Sequence, residues 1–114
     1  MTSDETMIPA IGVRGLEQVF EAIVVAGGRP RPWSGFEHGV LEAYRWAAGA
    51  QTEAPVTATA PLGAAGPCRA QLLAECQAAA VCVRDTGRHG ADAGYALGAY
   101  RALAWICGHH DDRP

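Results

Sequence analysis

One fifteen-residue skeleton occurs twice in this chain. Gly35 to Gly49 reads GFEHGVLEAYRWAAG, and Gly94 to Gly108 reads GYALGAYRALAWICG. Six positions correspond at a constant shift of 59 residues: Gly35/Gly94, Phe36/Tyr95, Gly39/Gly98, Ala43/Ala102, Trp46/Trp105 and Gly49/Gly108. Gly28-Arg29 and Gly87-Arg88 precede the copies at the same shift. A correspondence without gaps marks a duplicated structural unit, so whatever one copy forms the other should form as well. At helical spacing, Gly35, Gly39, Glu42 and Trp46 fall on one stripe, as do Gly94, Gly98, Arg101 and Trp105. Two glycines four apart strip side chains from that face and let another backbone approach. If the copies pack on these stripes about a pseudo-two-fold, Gly39 and Gly98 should lie near the crossing. Glu42 and Arg101, equivalent but opposite in charge, could then pair across it.

The rest of the chain supplies partners for these helices. From Gly15, the residues Leu16, Val19, Phe20, Ile23 and Val24 form an apolar stripe, with Glu17, Gln18 and Glu21 opposite. Gly27-Gly28 should stop this helix by accepting a left-handed conformation. Arg29-Pro30-Arg31-Pro32-Trp33 is non-helical, because each proline pushes its predecessor into extended geometry. Ser34 and Glu37 form a capping box for a helix over about 35–48. Residues 50–66 read as a linker, with Val56-Thr57-Ala58-Thr59 the one short strand candidate. Pro67 suits the first turn of a third helix carrying Leu72, Leu73, Cys76, Ala79, Ala80 and Val83, expected to end near Thr86-Gly87. Asp92 could cap a fourth helix that Gly108 closes. The expectation is an all-α, bundle-like domain of four main helices as two pseudo-repeated hairpins, 15–49 and 67–108, with a loose leader over 1–12 and a frayed tail.

Charge and composition narrow the function classes. The net charge of −3 offers no general attraction for nucleic acid. All nine basic residues are arginine, a bias that fits a GC-rich bacterial genome. No apolar run reaches the length a bilayer requires, and the acidic start MTSDETMIPA is unlike a signal peptide, so a cytoplasmic location is expected. Four cysteines in such a chain are expected as free thiols, Cys76 and Cys107 buried and Cys82 the most accessible.

Candidate binding residues come from the loop and the repeated helices. Arg29, Arg31 and Trp33 could hold a phosphate, a nucleobase or a partner's aromatic ring, although a stiff loop with solvated arginines is the favoured reading. Tyr44, Trp46, Tyr100, Arg101 and Trp105 would line a pocket between the hairpins, or else serve the core. Cys107, His109 and His110 are weak metal-ligand candidates whose spacing matches no closed site, so no metal and no other cofactor is expected. His38 and His89 are isolated, and no nucleophile or carboxylate set marks a catalytic centre. The function expected is therefore that of a small non-enzymatic accessory or regulatory protein. It would act through protein–protein contact as a homodimer, because four short helices cannot bury so many apolar residues. A small-molecule binder or enzyme with a pocket between the hairpins is the alternative.

Overall fold

Gly39 and Gly98 sit where two helices cross so closely that neither position has room for a methyl group. The computed structural model describes residues 10–58, 66–85 and 93–114. Its elements are β1 (Ala10–Ile11), β2 (Arg14–Gly15), α1 (Leu16–Gly27), α2 (Gly35–Ala47), α3 (Arg69–Arg84) and α4 (Ala93–Ile106). The fold is all-α and bundle-like. The duplicated helices α2 and α4 make the central pair, α1 packs chiefly on α2, and α3 packs on α4.

The central contact is reciprocal. A Cβ on Gly39 would overlap the carbonyl oxygen of Tyr95 and stand 3.0 Å from the Ala99 nitrogen. A Cβ on Gly98 would overlap the carbonyl oxygen of Phe36, the residue equivalent to Tyr95, and stand 2.9 Å from its carbonyl carbon. Gly35 and Gly94 face each other in the same way, each 3.3 Å at the Cβ position from the nitrogen of Tyr95 or Phe36. Residue i touching j while the equivalent of j touches the equivalent of i is the signature of two-fold packing. With no Cβ between them, each glycine Cα–H points at a carbonyl, a contact that recurs where helices approach closely. Ala43, Ala99 and Ala102 continue the small-residue packing, while Val40, Leu41, Trp46, Leu103 and Ile106 fill the core around it.

Both copies end alike. Gly49 and Gly108 take positive φ, 81° and 84°. The amides of Ala50 and His109 reach back to the carbonyls of Arg45 and Ala104, 2.8 Å in each case. Those of Gly49 and Gly108 bond Trp46 and Trp105 at 3.0 and 3.1 Å. This is the Schellman arrangement, which needs a left-handed residue at the position glycine holds. At the start of α2 the capping box forms: Glu37 Oε1 accepts from the Ser34 amide at 2.9 Å, and Ser34 Oγ accepts from the Glu37 amide at 3.3 Å.

Elsewhere the structure departs from expectation. Residues 10–15 are a tight antiparallel pair, Ala10 opposite Gly15 and Ile11 opposite Arg14, and not a loose leader. Gly12 at its turn lies so close to the Ile106 carbonyl that a side chain would clash there. The Val13 amide donates to that carbonyl at 2.9 Å, and the Arg14 guanidinium donates to the Trp105 and His110 carbonyls at 2.7 and 2.8 Å. The hairpin thus caps the end of α4, satisfying carbonyls a helix terminus leaves unpaired. Gly28 closes α1 with φ −91° and is not left-handed. Residues 55–57 form a turn and no strand. Pro67 precedes the cap residue Cys68 and is outside the first turn of α3. Asp92, Thr86-Gly87, Arg88 and His89 lie outside the described residues.

The phase of α1 is the largest difference. Its buried residues are Val19, Ala22 and Ala26, whereas Phe20 is 48% and Val24 73% exposed. Val19 and Ile23 pack on the core beside Ala22 and Ala26, while Phe20, Val24 and Val25 are turned outward on the side that also carries Glu17 and Glu21.

The seam predicts a contrast among glycines. Gly39→Ala and Gly98→Ala should each cost about 2–3 kcal/mol, since backbone atoms must yield to the new methyl group. Gly27→Ala, with nothing within 4 Å of its Cβ position, should instead stabilise by about 0.5–1 kcal/mol. Urea unfolding of the three variants measures the contrast.

Candidate functional site

The segment joining α1 to α2 is the most chemically furnished part of the surface. The Trp33 indole N–H donates to the Arg29 carbonyl at 2.9 Å, and the ring packs against the core from a half-buried position. The Arg31 guanidinium lies 4.4 Å from the centre of the Trp33 ring. The His38 imidazole meets the same ring edge-on, with centroids 5.2 Å apart and planes inclined at 69°. Arg31, Pro32, Trp33 and His38 line an open groove of about 540 Å³. Arg29 is turned away from it, donating to the Pro114 carbonyl at 3.0 Å.

The remaining expected binding residues divide between the core and the surface. Tyr44, Trp46 and Trp105 are buried, Tyr44 edge-on to Trp105 with centroids 5.9 Å apart. Arg101 is exposed, and among the described residues it makes no ion pair with Glu42. Glu42 instead accepts a 2.6 Å hydrogen bond from the Tyr95 hydroxyl, the one atom by which Tyr95 exceeds its counterpart Phe36. Burial first, and then this carboxylate, push the Tyr95 hydroxyl above the usual tyrosine range.

The tail is held and not frayed. Beyond the bonds from Arg14 and Arg29, Arg14 stands 3.8 Å from Asp111, and Arg113 stands 3.7 Å from Glu21. Tyr100 Oη lies 3.4 Å from His110 Nε2. Of the weak metal candidates, His109 and His110 are exposed and Cys107 is buried. Among the described residues no three His, Cys, Asp or Glu side chains gather as metal ligands would. The neighbouring Cys107 side chain, and then burial, push the Cys76 thiol up. All four cysteines are free, and the exposed one is Cys68 at the start of α3, while Cys82 is half-buried.

Glu75 was not foreseen as important, yet it is the one buried charged residue among those described. Its carboxylate accepts from the amides of Val56 and Thr57 at 2.6 and 2.9 Å and from the Thr57 hydroxyl at 2.7 Å. It ties the segment after α2 to α3. The signal was present in the sequence, since Glu75 sits between Leu72 and Cys76 on the stripe that α3 buries.

Among the described residues, two buried polar atoms, Tyr44 Oη and Trp46 Nε1, have no hydrogen-bond partner. Burial raises the Tyr44 hydroxyl to about 12 from an ordinary 10, against a smaller opposing pull from Arg113 and Arg29. Comparison with protein families, with curated proteins and with solved structures finds no match to this chain.

Two predictions follow from these environments. A hydroxyl that is neutral when folded and ionises more readily when unfolded holds its stabilising bias below pH 10. The bias is lost as the pH rises from 10 toward 12. Tyr44→Phe should therefore flatten the fall of urea-measured stability across that window, and at neutral pH it should cost nothing or stabilise, because no bond is broken. Native-state labelling with a thiol reagent should modify Cys68 first, Cys82 more slowly, and Cys76 and Cys107 only on unfolding.

Proposed function

We propose that this is a small non-enzymatic protein that works through protein–protein contact, as a homodimer formed on the outer face of α1. The observation that carries the reading is the exposure of Phe20 (48%), Val24 (73%) and Val25 (46%) on one short helix, with Val13 (48%) on the adjoining hairpin. Scattered apolar residues are ordinary on a surface, but a cluster on a helix packed from one side only is a feature of association sites. Apolar contact is worth about 25 cal/mol per Å² removed from water, so covering such a cluster twice across a two-fold gives a useful driving force. The two-fold itself makes the patch self-complementary, because each copy presents what the other covers.

The alternative, a pocket between the hairpins, is the less favoured reading, because the glycine seam brings α2 and α4 into backbone contact at their crossing. No helix among the described residues is long and apolar enough to cross a membrane.

Sedimentation equilibrium tests the proposal. The protein should associate as a dimer in the micromolar range. Phe20→Glu and Val24→Glu, both on the solvent side of α1, should weaken association about tenfold or more without changing helical content. A monomer at high micromolar concentration overturns the homodimer.

A further inference from the structure

We infer that the groove lined by Arg31, Pro32, Trp33 and His38 is a binding site for a small aromatic acid, a planar ring carrying a carboxylate or phosphate. This site is separate from the α1 face and does not depend on the proposed dimer.

The groove combines a fixed apolar wall with unused polar groups. Trp33 is anchored twice, by its indole bond to the Arg29 carbonyl and by packing on the core. Pro30 and Pro32 restrict the backbone on either side of Arg31, so the wall is formed before a ligand arrives. Arg31 spends the flat face of its guanidinium on Trp33, 4.4 Å from the ring centre. The N–H groups around the guanidinium edge make no hydrogen bond or ion pair among the described residues, and these are the groups that fork onto a carboxylate or phosphate. His38 likewise contacts Trp33 through its ring, while its nitrogens have no hydrogen-bond partner among the described residues.

The neighbouring charges leave this demand unmet. Glu37, the nearest carboxylate in sequence, is occupied in the capping box with Ser34. Arg29 is committed to the Pro114 carbonyl. An anion entering the groove would meet a guanidinium edge and an imidazole, with the Glu37 carboxylate turned to the Ser34 cap. A bare anion would leave the Pro32 and Trp33 surface uncovered, and a neutral ring would leave the guanidinium edge unpaired. A ring bearing an acid satisfies both. The groove is open to solvent, so a ligand would lie against the Trp33 wall with its outer side uncovered.

The test is an NMR titration of the full chain, following the Trp33 indole N–H and the Arg31 side-chain Nε–H. Benzoate and phenyl phosphate are the two acid probes, and they distinguish carboxylate from phosphate. Inorganic phosphate and benzyl alcohol carry the anion and the ring separately. At least one acid probe should shift both signals saturably, and each separated half should bind about tenfold more weakly or worse. Arg31→Ala should weaken the acid by a similar factor, and Arg31→Lys should recover only part, because a point charge lacks the planar fork. His38→Ala should weaken it by a smaller factor with Trp33 unmoved in the free protein. Absence of a saturable shift with either acid overturns the inference. So does unchanged affinity in Arg31→Ala with native circular dichroism, or inorganic phosphate binding as tightly as phenyl phosphate.

Discussion

Backbone meets backbone where α2 crosses α4, and the rest of the molecule is arranged around that contact. The carbonyls of Phe36 and Tyr95 occupy the space that side chains at Gly98 and Gly39 would need. Such proximity is open only to glycine, and it comes at the cost of glycine's weak helix propensity, about 1 kcal/mol per interior position relative to alanine. Each helix carries two of these glycines, so tertiary contact must offset that cost. It does so by bringing Trp46, Leu103, Ile106 and Trp105 into one core and by closing both helices with the same left-handed glycine cap. Duplication makes the arrangement economical, since one solution to the crossing serves twice.

The copies then diverge at their edges, where the chain attaches other things. The end of α4 is covered by the 10–15 hairpin and gripped by Arg14, whose guanidinium also lies 4.7 Å from the Trp105 ring centre. The segment beyond α2 is instead drawn onto α3 by Glu75. Tyr95 and Glu42 add one polar bond across the pair, made possible by a hydroxyl that Phe36 lacks. Among the surfaces left uncommitted are the outer face of α1 and the Arg31–Trp33–His38 groove, where association and ligand binding are proposed. Neither competes with the seam, so substitutions there can alter binding while the fold persists.

Much of the architecture was legible because it obeys local rules. Glycines four apart, a Ser34–Glu37 box and glycines after helical periodicity each act within a turn or two of chain. What escaped the sequence depends on partners far along it. The phase of α1 is ambiguous in sequence because Phe20 and Val24 border the strip of Glu17 and Glu21, away from the buried Val19, Ala22 and Ala26. Which face is buried follows from the close approach that Ala22 and Ala26 permit. Two-residue strands have no periodicity to detect, so the capping hairpin was invisible, and Arg14 looked like any surface arginine. Arg101 was matched with Glu42 by symmetry alone, although helix phase turns Arg101 to solvent. Of the loop residues, Arg31 and Trp33 do share a surface, and His38 joins them because the first turn of α2 follows directly.

The glycine seam itself is most directly tested by proton–proton contacts in solution. A NOESY spectrum of the native protein should show the Gly39 Hα close to the Ala99 amide proton, and the Gly98 Hα close to the Phe36 Hα, both across the α2–α4 crossing. The paired appearance of these two cross-peaks is the result the account predicts. Intact α2 and α4 with neither cross-peak would contradict it, because the helices would then be folded without the contact on which their packing is said to depend.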